Sequence, residues 1–156
     1  MIGGTVRGLP DLKAALQGIV PKLKRRALRN ALAAAGRVVR DEARRQAPVL
    51  RNALKAPYRT PGLLRKSIVV RTSKLARRAG AVGVFVNVRP AKRGVRGAKS
   101  KLDPYYWRWV EFGTKKMTAR PYLQPAVQRL PQALTVFTRE LGPAVAKLNR
   151  PKAPAP

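Results

Sequence analysis

"SIVVRTSKLARRAGAVGVFVNV" occupies residues 67–88, and its period decides the fold class. From Ser67 to Thr72 the apolar side chains alternate: Ile68 and Val70 face one way, Val69 and Arg71 the other, as on a strand. "VGVFVNV" (82–88) is β-branched enough for a second strand. The stretch between them, "KLARRAGA", reads as a turn region, so the two strands are expected to pair antiparallel. Preceding this block, "LLRK" at 63–66 suggests a single helical turn.

Outward from this block the period becomes helical on both sides. Upstream, "PKLKRRALRNALAAAGRVVRDEARRQA" (21–47) places Leu23, Ala27, Ala31, Ala34 and Val38 on one stripe, with most arginines off it. Its alanines allow another element to approach closely, and Pro48 stops it. A shorter helix is expected over "GLPDLKAALQGI" (8–19), with Leu12, Leu16 and Ile19 on one face. Downstream, residues 122–148 carry a stripe of Leu123, Val127, Leu130, Leu134, Phe137 and Leu141. There Pro131 is expected to kink the helix and Gly142-Pro143 to end or bend it. The expectation is a single α+β domain over 1–148: a long N-terminal helix, a small antiparallel β-sheet and a C-terminal helix. A flexible, proline-rich tail follows at 149–156.

Charge is the outlier in composition. The 156 residues include 35 Lys plus Arg and 6 Asp plus Glu, a formal net charge of +29. Such a chain repels itself and attracts polyanions or acidic proteins. Its lack of cysteine excludes disulfides and thiolate metal sites, and its lack of histidine removes the usual general base. The acids are too scattered for paired-carboxylate catalysis, and "GVRGAK" lacks the spacing of a phosphate-binding loop. No catalytic residue, metal site or cofactor is expected, and a nuclease would need a carboxylate cluster that is missing. No apolar run reaches a membrane span, and "MIGGTVRGLPDL" has no long apolar segment of the secretory kind. The basic, glycine-containing stretch at 89–101 reads as a mobile loop. Its Lys92, Arg93, Arg96, Lys99 and Lys101 are candidate contacts to DNA phosphates or an acidic partner.

The chain's rings concentrate in "YYWRWVEFGTKKMTARPYLQPAV" (105–127), which holds three of four tyrosines and both tryptophans. Tyr105, Tyr106, Trp107 and Trp109 could stack on bases or form a core wall. "PYYWRWVEFG" could be helix or strand. Glu111, an acid among aromatics, needs a partner, and Arg120 is the expected one.

The order of features here resembles a family of tail-completion or neck proteins of lambda-like siphophages and prophages. That family shows an aromatic-x-E-[FY]-G-T segment, a short loop, and a small residue-R-P-[FY]-[LM]-x-P-A run into a C-terminal helix. The matching residues are Trp109, Val110, Glu111, Phe112, Gly113, Thr114, Ala119, Arg120, Pro121, Tyr122, Leu123, Pro125 and Ala126. "GLPDLKAAL" and "APYRTPGLLRKSI" resemble two further blocks, the second with an extra Pro61. The resemblance runs over residues 6–148; the strong basicity, the loop 89–101 and Pro131 depart from it.

The resemblance implies a non-enzymatic virion protein at the head-proximal end of the tail, assembled in the host cytoplasm. It implies a homo-oligomeric ring, commonly sixfold, around the DNA path. Its partners would be other neck, connector and tail-tube proteins, with non-specific contact to genomic DNA in the lumen and none to a membrane. On this reading the aromatic segment is structural and sets the angle between sheet and C-terminal helix. The alternative is a free, non-specific nucleic-acid-binding protein of nucleoid or ribosome-associated type.

Overall fold

A computed structural model describes residues 21–50, 59–91, 94 and 96–148. The expected helix at 8–19, the tail at 149–156, and Lys92 and Arg93 lie outside the described residues. The long helix is α1, Pro21–Gln46, 26 residues. A turn of helix, α2 (Leu63–Ser67), leads into β1 (Ile68–Thr72). A second short helix, α3 (Lys74–Arg78), precedes β2 (Val84–Val88). Helix α4 (Trp107–Phe112), a 3-10 helix (Pro125–Arg129) and α5 (Leu130–Leu148) complete the order. This is the expected α+β arrangement, with two corrections of detail in the sheet. Residues 82 and 83 stay outside β2, and part of the expected turn is helical. Ser73 causes the second difference, because its side chain accepts from the Ala76 amide at 3.1 Å and caps α3.

The strands pair antiparallel, with Ile68 opposite Val88, Val70 opposite Val86 and Thr72 opposite Val84. This set faces α1. A Cβ on Gly36 would lie 3.0 Å from Val70 Cγ1, so the helix crosses the sheet at a distance that glycine permits. The other face, carrying Arg71 and Phe85, is exposed. Among the described residues the sheet has two strands, so both its edges are unpaired there.

The buried stripe of α1 is Ala27, Ala31, Ala35 and Ala43, continued by Ala47 just past its end. Sequence spacing placed it one position off beyond Ala31: Ala34 and Val38 are only partly buried. Leu23 is 44% exposed. The helix end is held from outside. Arg65 Nη2 donates to Ala47 O at 3.2 Å, and Arg44 Nε donates to Ile68 O at 3.1 Å, tying the last turn to α2 and β1.

Two core clusters result. Ile68 and Val88 meet Ala43, Ala47, Leu64, Tyr122 and Ala126, while Leu141 and Val145 of α5 insert between Ala27 and Ala31. Each such large apolar side chain contributes roughly 1.5–3 kcal/mol by its burial. The proline expectations need correction. Pro131 is the second residue of α5, where no intrahelical N–H is required, so it starts the helix instead of kinking it. The preceding turn is the 3-10 helix. Gly142-Pro143 does not end α5, which runs on to Leu148. Val145 packing against Ala27 and Ala31 gives tertiary contact enough to offset the lost hydrogen bond.

Candidate functional site: an acid-capped motif and an arginine cleft

The aromatic segment folds as helix. Tyr105 meets Tyr106 and Trp109 edge-on, with centroids 5.6 and 5.4 Å apart. Tyr106, Trp107 and Val110 pack on the core, whereas Trp109 is 47% and Phe112 75% exposed. Tyr106 and Trp107 thus border the core, while Trp109 and Phe112 face outward and neither tryptophan is fully buried. The Arg59 guanidinium lies 4.8 Å above Tyr106 and that of Arg108 5.3 Å from Trp107. Burial raises the Tyr106 hydroxyl above its ordinary pKa.

Glu111 is buried, 5% exposed. Its carboxylate accepts from the backbone amides of Tyr122 and Leu123 at 2.8 and 3.0 Å and of Gln124 at 2.9 Å. The expected pairing with Arg120 is therefore wrong. The Arg120 side chain is exposed and makes no ion pair among the described residues. The physical reason is the helix start. Amides entering the 3-10 helix at Pro125 have no intrahelical acceptor, and their dipoles favour an anion. One carboxylate satisfies three of them, serving as a cap delivered from another element. Arg120 contributes through its backbone, whose N–H donates to Val110 O at 2.8 Å.

Between these two ties the chain must reverse. Gly113 does it at φ 75° and ψ −178°, a conformation essentially confined to glycine. A Cβ there would stand 2.9 Å from both Met117 O and Ala119 N. Thr114 and Met117 exchange backbone hydrogen bonds of 2.9 and 3.2 Å, closing the turn. Pro121, exposed, precedes the three capped amides, while Leu123 packs on the core. Tyr122 is fully buried, and its hydroxyl finds no partner among the described residues. Burial, with the negative charge of Glu111 adding to it, raises its pKa.

The loop after β2 is tied by a second carboxylate. Asp103 accepts from Ala91 N at 3.1 Å and from Gly97 N at 2.8 Å. A mobile loop was expected because the stretch has no apolar stripe; its fastening is polar and comes from Asp103, just outside it. Arg96, Lys99 and Lys101 are exposed. Sequence reading missed what Arg96 joins. Beside β1 lies a cleft of about 630 Å³, lined by Arg37 and Arg40 of α1, Arg71 of β1, and Arg89 and Arg96 of the loop. Its apolar floor includes Ala33, Val69 and Val84. Only Arg40 has an acid partner among the described residues, Asp41 at 2.8 Å. On the opposite edge of the sheet, α1, β2 and α5 leave an apolar groove of about 470 Å³. Around it Phe85, Val127, Leu130 and Leu134 are 40–51% exposed.

No cluster of metal-binding side chains occurs among the described residues, and none of their helices is long and apolar enough to cross a membrane. The sequence matches, over residues 11–113, the family described as "Bacteriophage HK97-gp10, putative tail-component". The chain belongs to this family. The match covers about two-thirds of the chain and stops at Gly113, so the Arg-Pro-Tyr half of the motif lies beyond it. No curated protein and no solved structure matches. Membership makes the chain a structural component of a bacteriophage tail, located in the virion and working among other virion proteins.

Proposed function

We propose that this tail component stands at the head-proximal end of the tail, where copies form a ring around the DNA path and join tail to head. The observation that carries the ring is the apolar groove beside the edge of β2, which pairs with no further strand among the described residues. A contiguous apolar surface of this kind marks a contact with another chain. Its occupant on this reading is a second copy. The same chain presents projecting apolar side chains elsewhere, Leu75 at 78% and Phe112 at 75% exposure. A groove on one face and knobs on another make a head-to-tail contact, which closes into a ring if the rotation permits. Family membership supports the tail location, and the absence of histidine and cysteine supports a role without catalysis.

The +29 charge opposes such assembly, so salt or DNA should promote it. Analytical ultracentrifugation of the purified chain should show a closed oligomer at high salt. Leu134→Glu, which puts a charge into the groove, should shift the chain to monomer with its helix content unchanged. A wild-type chain that stays monomeric at every salt concentration, with and without DNA, would overturn the ring.

A further inference from the structure

We propose that the cleft between α1, β1 and the loop after β2 binds the sugar–phosphate backbone of DNA without reading its sequence. The inference rests on the tail-ring reading only for where DNA would be met; the site itself is a property of the single chain.

The composition of the cleft is specific. All five of its basic residues are arginine, drawn from three separate elements. Guanidinium groups form paired hydrogen bonds to phosphate and are less hydrated than ammonium. Arg37 and Arg40 are three residues apart on one helix face, so their side chains start as neighbours. Arg71 borders the cleft at the β1 edge, and its guanidinium, 6.0 Å from the Phe85 ring on the outer face of the sheet, is free to turn toward a ligand at that edge. Apolar side chains lie beside the charges, while Arg37, Arg71, Arg89 and Arg96 stay exposed, open to a ligand. Asp41 pairs with Arg40 at 2.8 Å, and Arg37, Arg71, Arg89 and Arg96 have no acid partner among the described residues. Three other acids are engaged elsewhere. Glu42 binds Arg45 and Arg129, Asp103 binds loop amides, and Glu111 caps residues 122–124.

A nucleic acid fits this arrangement better than an acidic protein does. Duplex DNA carries one fixed negative charge about every 1.7 Å of its axis. An acidic protein would have to gather several carboxylates into one small surface against their own repulsion. The lining offers guanidinium groups and the Thr72 hydroxyl, and most protein–DNA hydrogen bonds from such groups go to phosphate and sugar. The contact proposed is therefore to the backbone.

The test compares the wild-type chain with Arg37→Gln/Arg71→Gln/Arg89→Gln and with a control of equal charge loss outside the cleft, Lys115→Ser/Lys116→Ser/Lys147→Ser. Binding of a random-sequence duplex is followed by fluorescence anisotropy from 50 to 400 mM salt. Each phosphate contact contributes roughly 0.9 to the slope of log affinity against log salt. The cleft variant should lose about 2.7 of slope and more than tenfold in affinity at 0.1 M salt, by the same relation. The control should keep most of both. Equal losses in the two variants would reduce the effect to net charge and overturn the site. Unchanged DNA slope with lost binding of polyglutamate would make the cleft an acidic-protein site instead. A second measurement needs no variant: DNA should shield Arg37, Arg71 and Arg89 from phenylglyoxal, read by mass spectrometry, more than Arg108 and Arg139. Uniform shielding would contradict the proposal. Neither readout requires a ring, so the site and the ring can fail separately.

Discussion

Glu111 shows how one side chain sets a junction. Three successive amides, those of Tyr122, Leu123 and Gln124, end on its two oxygens. Glu111→Ala leaves three buried or half-buried donors without an acceptor. A buried unmade hydrogen bond costs about 1–3 kcal/mol, so the expected loss is at least ~3 kcal/mol. For a chain of this size that lowers Tm by roughly 10 °C, measured by thermal unfolding. Glu111→Gln retains one acceptor oxygen and should lose less; an unchanged Tm for the alanine variant would remove Glu111 from this role. The sequence made the need for a partner legible, because an acid among rings must be compensated. It hid the partner's identity, because backbone amides carry no letter of their own. Arg120 is the residue a reader of side chains selects, yet the structure uses its backbone. Gly113 is different, since its necessity follows from a positive φ and a 2.9 Å approach that only the folded chain displays.

At the scale of elements, the change of period from 3.6 to 2 and back identified the long helix, the two strands and the final helix. What it missed has physical causes. Pro131 was expected to kink the last helix and Gly142-Pro143 to end or bend it, but Pro131 sits where the helix begins and the helix continues through Pro143. The groove side of α5 keeps Leu130 and Leu134 half exposed, so an apolar stripe did not equal a buried stripe. A connection without a sequence signature joins α1 to the 3-10 helix. Glu42 accepts from Gln46 and Arg45 on its own helix, and from Arg129 at 3.1 Å, 87 residues away. These hydrogen bonds, first from Gln46 and then from Arg45, hold its pKa at about 2, below the ordinary 4.5. The folded state thus binds this proton more weakly than the unfolded state. The contribution to stability is present above about pH 4.5 and is lost as pH falls toward 2. Glu42→Gln should therefore have a flatter Tm curve across that window than the wild type. Parallel acid limbs for the two proteins would contradict the linkage.

At the scale of the whole molecule, a thin sheet carries two unlike edges. The β1 edge opens on arginines and the β2 edge on an apolar groove, with α1 lying across both. The sequence announced the charge but not its placement. Arg37, Arg71 and Arg89 are scattered along the chain, and only the crossing of helix and strands gathers them. The basic loop attracted attention because its charges are contiguous, while the cleft recruits one loop residue, Arg96, of the candidates among the described residues. The two edges suit a subunit that meets its copies through the apolar groove and DNA through the arginine cleft. The most direct test is an electron cryo-microscopy reconstruction of the intact particle that carries this chain. The account predicts a closed ring of the chain between head and tail tube, with the β2 edge at each subunit boundary and the arginine cleft turned toward the DNA path. Density for the chain elsewhere in the particle, or copies at the neck with neither edge in contact, would contradict it.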